Sequence, residues 1–222
     1  MRRLVLVLLL ALVAACTAKP PYTASQTQPP DAVSQTPPPA APASQVAVST
    51  GTEMPVAPTE TAVAPEVNPP GDIPDSQAFV SYKSAAGGYQ LDVPEGWART
   101  ETGTAVSFVD KFDGVGVTVG PASAAPTAAS ARANEAKQIA SSGHAVTITD
   151  VSAVTMASGP AVIIRYTSNS EPNAVTNKRV RLENEAVLYF KNGKQAMLTL
   201  WAPQGADNVD QWDRMSKSFR LL

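Results

Sequence analysis

The stretch from Val180 to Trp201, VRLENEAVLYFKNGKQAMLTLW, decides the fold class of this chain. Apolar and polar residues alternate on both sides of Asn192-Gly193, a pair typical of a type I′ turn between antiparallel strands. The stretch therefore predicts a β-hairpin, with Lys194 to Trp201 as the returning strand. The apolar face of the first strand consists of Val180, Leu182, Ala186, Leu188 and Phe190.

The opposite face of this first strand carries charged residues. Lys178, Arg179 and Arg181 form a basic cluster, and Glu183 and Glu185 follow at alternate positions. Opposite charges at this spacing predict a solvated face with cross-strand ion pairs. A binding site for an acidic partner is the alternative.

Alternating segments elsewhere extend the prediction to a larger antiparallel sheet with two helices. The helix over residues 127–142 has alanines at helical spacing and ends at Gly143, which suits a left-handed cap. A second helix begins at Asp207 as its cap and buries Trp212 and Phe219 against the sheet. The predicted strands cover residues 89–93, 104–110, 115–119, 144–154 and 161–168, in addition to the hairpin.

The opening Tyr-x-Leu-x-Val-Pro-x-Gly-Trp motif, Tyr89 to Trp97, and the closing Ser218-Phe219 resemble the PsbP and Mog1-like family. The likeness covers roughly residues 79–222. It implies an α+β fold, an α/β sandwich in which an antiparallel β-sheet is flanked by two helices. It also implies protein binding, because members include a photosystem II extrinsic subunit and a nuclear-transport factor. No catalytic residue set comes with the resemblance.

The amino terminus has the layout of a secretory signal peptide over residues 1–15. Arg2 and Arg3 precede an apolar run from Leu4 to Val13, which is about half the length that a transmembrane helix needs. The run ends in two alanines before Cys16, as in the bacterial lipobox, where the cysteine thiol accepts a diacylglyceryl group. We therefore expect lipidation of Cys16 and an extracytoplasmic protein held to a membrane. An ordinary cleaved signal is the alternative.

Residues 16–77 predict a lipidated amino terminus followed by a disordered tether. Most of the 20 prolines lie between Pro20 and Pro74, and this segment has too few large apolar residues to offset the entropy of ordering. The composition therefore places the globular domain at residues 78–222. The net charge of the chain is −2, which gives no electrostatic basis for binding nucleic acid.

Candidate chemistry is sparse in this sequence. Cys16 is the only cysteine and His144 the only histidine, so the sequence offers no zinc ligand set. A Cys-His pair is excluded because Cys16 is expected to be lipidated and is distant from His144. His144 is expected to be a solvated residue at the start of a strand. Asp110 and Asp113 are expected to shape a turn, with weak calcium binding as the alternative. We assign no catalytic residue, metal or cofactor.

The three tryptophans have different expected roles. Trp97 and Trp212 are expected in the core, whereas Trp201 is more open to a ligand-stacking role.

The sequence leaves three hypotheses for the function. The first hypothesis is a non-enzymatic domain that binds an envelope or membrane protein. The second is a carrier of a small hydrophobic or lipid ligand, which an apolar pocket beneath a helix would favour. The third is a carboxylate-based hydrolase, which clustered Asp and Glu in a cleft would favour.

Overall fold

The computed structural model describes residues 60–222, and the expected signal peptide, Cys16 and most of the expected tether lie outside this part. No helix within residues 60–222 is long and apolar enough to span a bilayer. The elements are β1 (Phe79–Ser84), β2 (Tyr89–Pro94), β3 (Ala98–Thr102), β4 (Ala105–Asp110), β5 (Asp113–Pro121), α1 (Ala128–Ala133), α2 (Glu135–Ser142), β6 (His144–Met156), β7 (Gly159–Asn169), β8 (Arg181–Lys191), β9 (Lys194–Pro203), α3 (Val209–Ser218) and β10 (Arg220–Leu221).

Two antiparallel sheets form the framework. Seven strands run in the order β3-β4-β5-β9-β8-β7-β6, and a smaller sheet has the order β1-β2-β10. The predicted hairpin is confirmed as β8 and β9, in the middle of the large sheet. Asn192 and Gly193 both have positive φ, 50° and 75°, as a type I′ turn requires.

The large sheet is covered on both faces. On one face, Val187 and Tyr189 belong to a core shared with the small sheet and α3. On the other face, Ala186 and Leu188 pack with α1 and α2. The ring of Tyr189 stacks on Phe219 at 4.4 Å between centroids. Because successive side chains of a strand point to opposite faces, this one strand joins the two cores.

The predicted helices differ from the observed ones in three respects. The helix expected over residues 127–142 is broken at Asn134, whose backbone is non-helical, so the domain has three helices within the described residues. Gly143 is extended rather than left-handed, because β6 starts at the next residue. The last helix has Asn208 at its N-cap position instead of Asp207. The Asn208 side chain does not cap this helix, because it binds residues 71–73 instead.

The predicted boundary at residue 78 is also wrong for the described part of the chain, because residues 60–77 contact the domain. Ile73 is buried in the main core, and its N–H donates to Asn208 Oδ1 at 2.6 Å. The Asn208 amide donates to the Gly71 carbonyl at 2.8 Å. Asp72 accepts from the Asp207 N–H at 2.9 Å. The segment is therefore fastened by polar contacts and one apolar side chain.

Trp201 packs on the backbone of β5. It pairs with Gly114 in the sheet, and a Cβ placed on Gly114 would lie 1.9 Å from the indole. The ring is half-buried and extends over Gly116, where a Cβ would lie 3.5 Å away. The glycines of β5 thus make room for the indole, which gives Trp201 a packing role.

Gly114→Ala should destabilise the domain by about 1–3 kcal/mol, because the added methyl displaces the Trp201 ring from a packed position. Gly120→Ala, in the same strand, is the matched control, since nothing lies within 4 Å of its Cβ position. Urea unfolding followed by tryptophan fluorescence measures both. Equal stability of the two variants would contradict this packing role.

Candidate functional site

A groove of about 510 Å³ runs beside α3 on the face of the large sheet formed by β6, β7 and β8. Its apolar lining consists of Met156, Ile163, Tyr166, Val209 and Trp212, and its charged lining of Arg165, Glu183, Glu185 and Asp213. This combination of a few charged groups with an apolar surface is typical of a binding site.

The groove results from the position of α3. Met215 in the last turn of this helix is fully buried in the main core, whereas Val209 in its first turn is 72% exposed. Trp212 lies between them, half-buried, with part of its surface against the core. The expected core position of Trp212 is therefore met only in part, because the ring also faces the groove. Trp97 likewise is half-buried and packs against the core.

A cross-strand ion pair lies in the groove. Arg165 on β7 is the register partner of Glu185 on β8, and their side chains meet at 3.0 Å. Arg165 also contacts Asp150 on β6 at 3.4 Å. The Glu185 side chain is only 13% exposed, and burial raises its pKa while Arg165 opposes that rise. The predicted cross-strand pairing is confirmed for Glu185, although the carboxylate is less solvated than expected.

Three further polar groups line the groove. Burial raises the pKa of Glu183, and a hydrogen bond from the Gly205 backbone partly offsets this. Asp213 pairs with Lys217 at 2.7 Å. Ser216 is only 2% exposed, and its hydroxyl has no well-formed hydrogen bond among residues 60–222, although it lies close enough to the Tyr189 hydroxyl to lower the pKa of that phenol. A buried hydroxyl without a partner is costly, so Ser216 is an unsatisfied group at the groove.

The basic cluster does not form a solvated face. Arg181 is 6% exposed and donates hydrogen bonds to Asn169 Oδ1, Thr167 Oγ1 and the Ala145 carbonyl at 3.1, 2.6 and 2.8 Å. Burial lowers the pKa of its guanidinium. Arg179 donates to the Ser170 carbonyl, and Lys178 is exposed. The prediction fails for Arg181 because both faces of β8 are covered, which its charge pattern does not reveal.

His144 begins β6, as predicted, but its ring is held between two carboxylates. Nδ1 lies 2.7 Å from Glu60 and Nε2 lies 2.9 Å from Glu171. The hydrogen bond with Glu60 raises the pKa of His144. Glu60 also accepts from Asn169 at 2.9 Å and pairs with Arg179 at 3.3 Å, and these contacts lower its pKa. The cluster therefore holds residues 60–63 against the domain.

This cluster should hold residues 60–63 most firmly between the ordinary pKa values of Glu60, 4.5, and His144, 6.5. A raised histidine pKa contributes stability that is complete below its unfolded value and lost as the pH rises through the folded value. The Val63 N–H, which donates to Asn169 at 3.0 Å, is the reporter. Its hydrogen-exchange protection factor should fall above neutral pH in the wild type and vary less in His144→Gln. The Leu198 amide in central β9 is the internal control, and identical profiles in both proteins would contradict the assignment.

Asp110 and Asp113 are paired residues on either side of the β4–β5 turn, as predicted. Asp113 is buried, and desolvation raises its pKa to about 7. Asn208 donates to it at 3.3 Å, which links the turn to α3. No group of three or more metal-ligating His, Cys, Asp or Glu side chains occurs in the part of the chain that the structure describes.

The ionised form of Asp113 should weaken the fold. Its pKa is higher in the folded than in the unfolded chain, so the folded state binds more protons and stability falls as the pH rises from about 4 to about 7. Relative to Asp113→Asn, the wild type should therefore lose unfolding free energy over this range. Urea unfolding at several pH values measures the difference, with Asp210→Asn, an exposed site on α3, as the control. A pH-independent difference would refute the assignment.

No protein-family model matches this sequence, and comparison with the curated proteins gave no match. Similar solved structures include cyanobacterial PsbP (CyanoP) from Synechocystis sp. PCC 6803, with 16% identity, a TM-score of 0.44, and coverage of 68% of this chain and 98% of that chain. The Ran-binding protein Mog1p of Saccharomyces cerevisiae has 10% identity, a TM-score of 0.44 and coverages of 66% and 96%. A Bacteroides thetaiotaomicron protein has 11% identity, a TM-score of 0.43 and coverages of 64% and 48%.

PsbP and Mog1 proteins, which the motif at residues 89–97 resembles, are both among these structures. The antiparallel sheet flanked by helices is also the arrangement that the resemblance implies. With identities of 16% or less and TM-scores of 0.44 or less, the likeness carries no conclusion about this chain. It assigns no ligand or partner to the groove.

Proposed function

We propose that this chain is an extracytoplasmic lipoprotein, anchored through lipidated Cys16, whose folded part is a non-catalytic domain for binding another envelope or membrane component. The observation that carries the binding role is the groove beside α3, where apolar and charged side chains meet on an open surface. We take this folded part to begin before the predicted boundary at residue 78, because residues 60–77 contact the rest of the domain.

The anchor rests on the order of residues at the amino terminus. Two arginines, an apolar run and Ala14-Ala15 lead directly to the only cysteine of the chain. A lipidated Cys16 would insert two or three acyl chains, and each buried methylene contributes about 0.8 kcal/mol to membrane binding. Attachment would therefore be durable, while the chain that follows lets the domain reach away from the membrane.

The binding role rests on where space is left in the domain. Beneath α3 the core is filled by Met215 and by the stacked rings of Tyr189, Phe219 and Tyr89. The groove lies beside this core, so a ligand would rest on the surface of the domain. Such a site suits contact with another macromolecule.

The carrier hypothesis is the second candidate, and the apolar lining of the groove favours it. Arg165 and three carboxylates also line the site, which does not suit a wholly apolar ligand. The same carboxylates bear on the hydrolase hypothesis. Glu185 is paired with Arg165 and Asp213 with Lys217, and these structural pairs favour a binding role over proton transfer.

The wild type should fractionate with membranes, and intact mass should show a mature chain that starts at diacylglyceryl-modified Cys16. Cys16→Ala should lose the lipid and leave the membrane fraction, because the apolar run alone is too short to span a bilayer. A mature wild-type chain with an unmodified amino terminus would refute the anchor.

Crosslinking on intact cells tests the binding role with the same two proteins. A partner captured by both forms would show that the domain itself binds and that the anchor serves to concentrate it. A wild type that crosslinks to no protein or lipid would refute the interaction role.

A further inference from the structure

We infer that the groove beside α3 binds an extended segment of a partner polypeptide through a lysine or arginine side chain, with a neighbouring apolar side chain against Trp212. This inference rests on the proposed interaction role and names the chemistry of the partner. Four observations support it: the charge of the groove, its aromatic lining, the Ser216 hydroxyl and the free edge of β6.

The charge of the groove favours a cation. Glu183, Glu185 and Asp213 line it, with Arg165 shared between Glu185 and Asp150 and with Lys217 paired to Asp213, so Glu183 has no cationic partner among the described residues. Burial raises the pKa values of both glutamates, so their ionised forms are incompletely compensated by the domain. A ligand cation placed between them would supply the missing compensation.

The apolar lining suits the rest of such a side chain. Trp212, Tyr166 and Met156 lie in the same groove as the carboxylates. Lysine and arginine bury their methylene stems on apolar surface while the charged group contacts polar atoms. Indole rings also attract cations through their π face. The groove therefore offers both surfaces that an amphipathic cation requires.

Ser216 is an independent indication of a ligand. Its side chain is buried at the groove, and its hydroxyl oxygen lacks a well-formed hydrogen bond within residues 60–222. Its backbone carbonyl is already engaged, because it accepts from the Tyr189 hydroxyl at 2.7 Å. An N–H donor from a bound segment would satisfy the side-chain oxygen, which the domain leaves unsatisfied.

The outer strand of the sheet favours a polypeptide over a small amine. β6 contributes Thr149 and Met156 to the groove and is the last strand in the sheet order. Among the described residues, no strand pairs with its outer edge, and the one side chain of α1 that binds its backbone is Arg132, at the Val151 carbonyl. Unpaired backbone groups on such an edge can hydrogen-bond an extended peptide while side chains enter an adjacent site.

The test uses the full mature chain carrying Cys16→Ala and a fluorescent, end-blocked heptapeptide, Thr-Val-Thr-Lys-Thr-Val-Thr. The matched peptide has norleucine in place of lysine. Fluorescence polarisation should show that the lysine peptide binds about tenfold more tightly, as expected for a partly buried charge pair, with affinity falling as salt rises. A third probe, n-butylammonium, should compete only weakly.

Three groove variants and a control locate the site. Glu183→Gln and Glu185→Gln should each weaken the lysine peptide about threefold to tenfold, since each removes one carboxylate. Ser216→Ala should weaken binding more than it lowers thermal stability, because the neighbouring Tyr189 hydroxyl keeps its hydrogen bond to the Ser216 carbonyl. Glu95→Gln, in an exposed turn, should change nothing. If Glu185→Gln unfolds after losing its pair with Arg165, Glu183→Gln still decides the outcome.

Equal affinities of the lysine and norleucine peptides would overturn the inference that the groove recognises a cation. If n-butylammonium bound as tightly as the lysine peptide, the inference that the ligand is a polypeptide would be overturned. Failure of both peptides to bind would also overturn the inference. Each of these outcomes leaves the interaction role standing if crosslinking on cells still captures a partner. Loss of that capture in the wild type would instead refute the proposed function itself.

Discussion

Burial of β8 on both faces is the constraint on which the rest of the structure depends. Its even-numbered residues Ala186 and Leu188 belong to one core, and its odd-numbered residues Val187 and Tyr189 to the other. A slip of one residue in register would exchange these two sets. The type I′ turn at Asn192-Gly193 fixes the register with β9, and all other layers are placed relative to this hairpin.

The same alternation produces the candidate site. One face of β8 carries, in order, Glu183, Glu185, Val187 and Tyr189. The charged part of this face therefore lies next to the part that belongs to the main core. Where α3 and the small sheet cover that face, the side chains are apolar and packed. Where this cover ends, Glu183 and Glu185 lie near Trp212 in the groove. Their carboxylates are partly desolvated by the edge of the core but can still be reached by a ligand from solvent. The groove is therefore the boundary of a packed region.

Most strands could be predicted from the sequence because local alternation and turn residues specify them directly. The helix ends and the domain boundary could not. Asn134 interrupts a continuous alanine pattern, and Asn208 binds a distant segment instead of capping its own helix. Residues 60–77 have a tether's composition, yet Ile73 and a few carboxylates suffice to fasten them. The groove combines residues from β6, β7, β8 and α3, and no sequence pattern brings Arg165, Glu185 and Trp212 together.

The attachment of residues 60–77 to the domain also bears on how the protein responds to mechanical force. Among the described residues, tension from the amino-terminal side would first load Glu60, whose contacts with His144, Asn169 and Arg179 are polar and near the surface. These contacts would yield before the hydrogen bonds of Asn208 to residues 71–73, and both would yield before β1. The segment would therefore detach from the domain in two steps under load, and each step would lengthen the chain before either core unfolds.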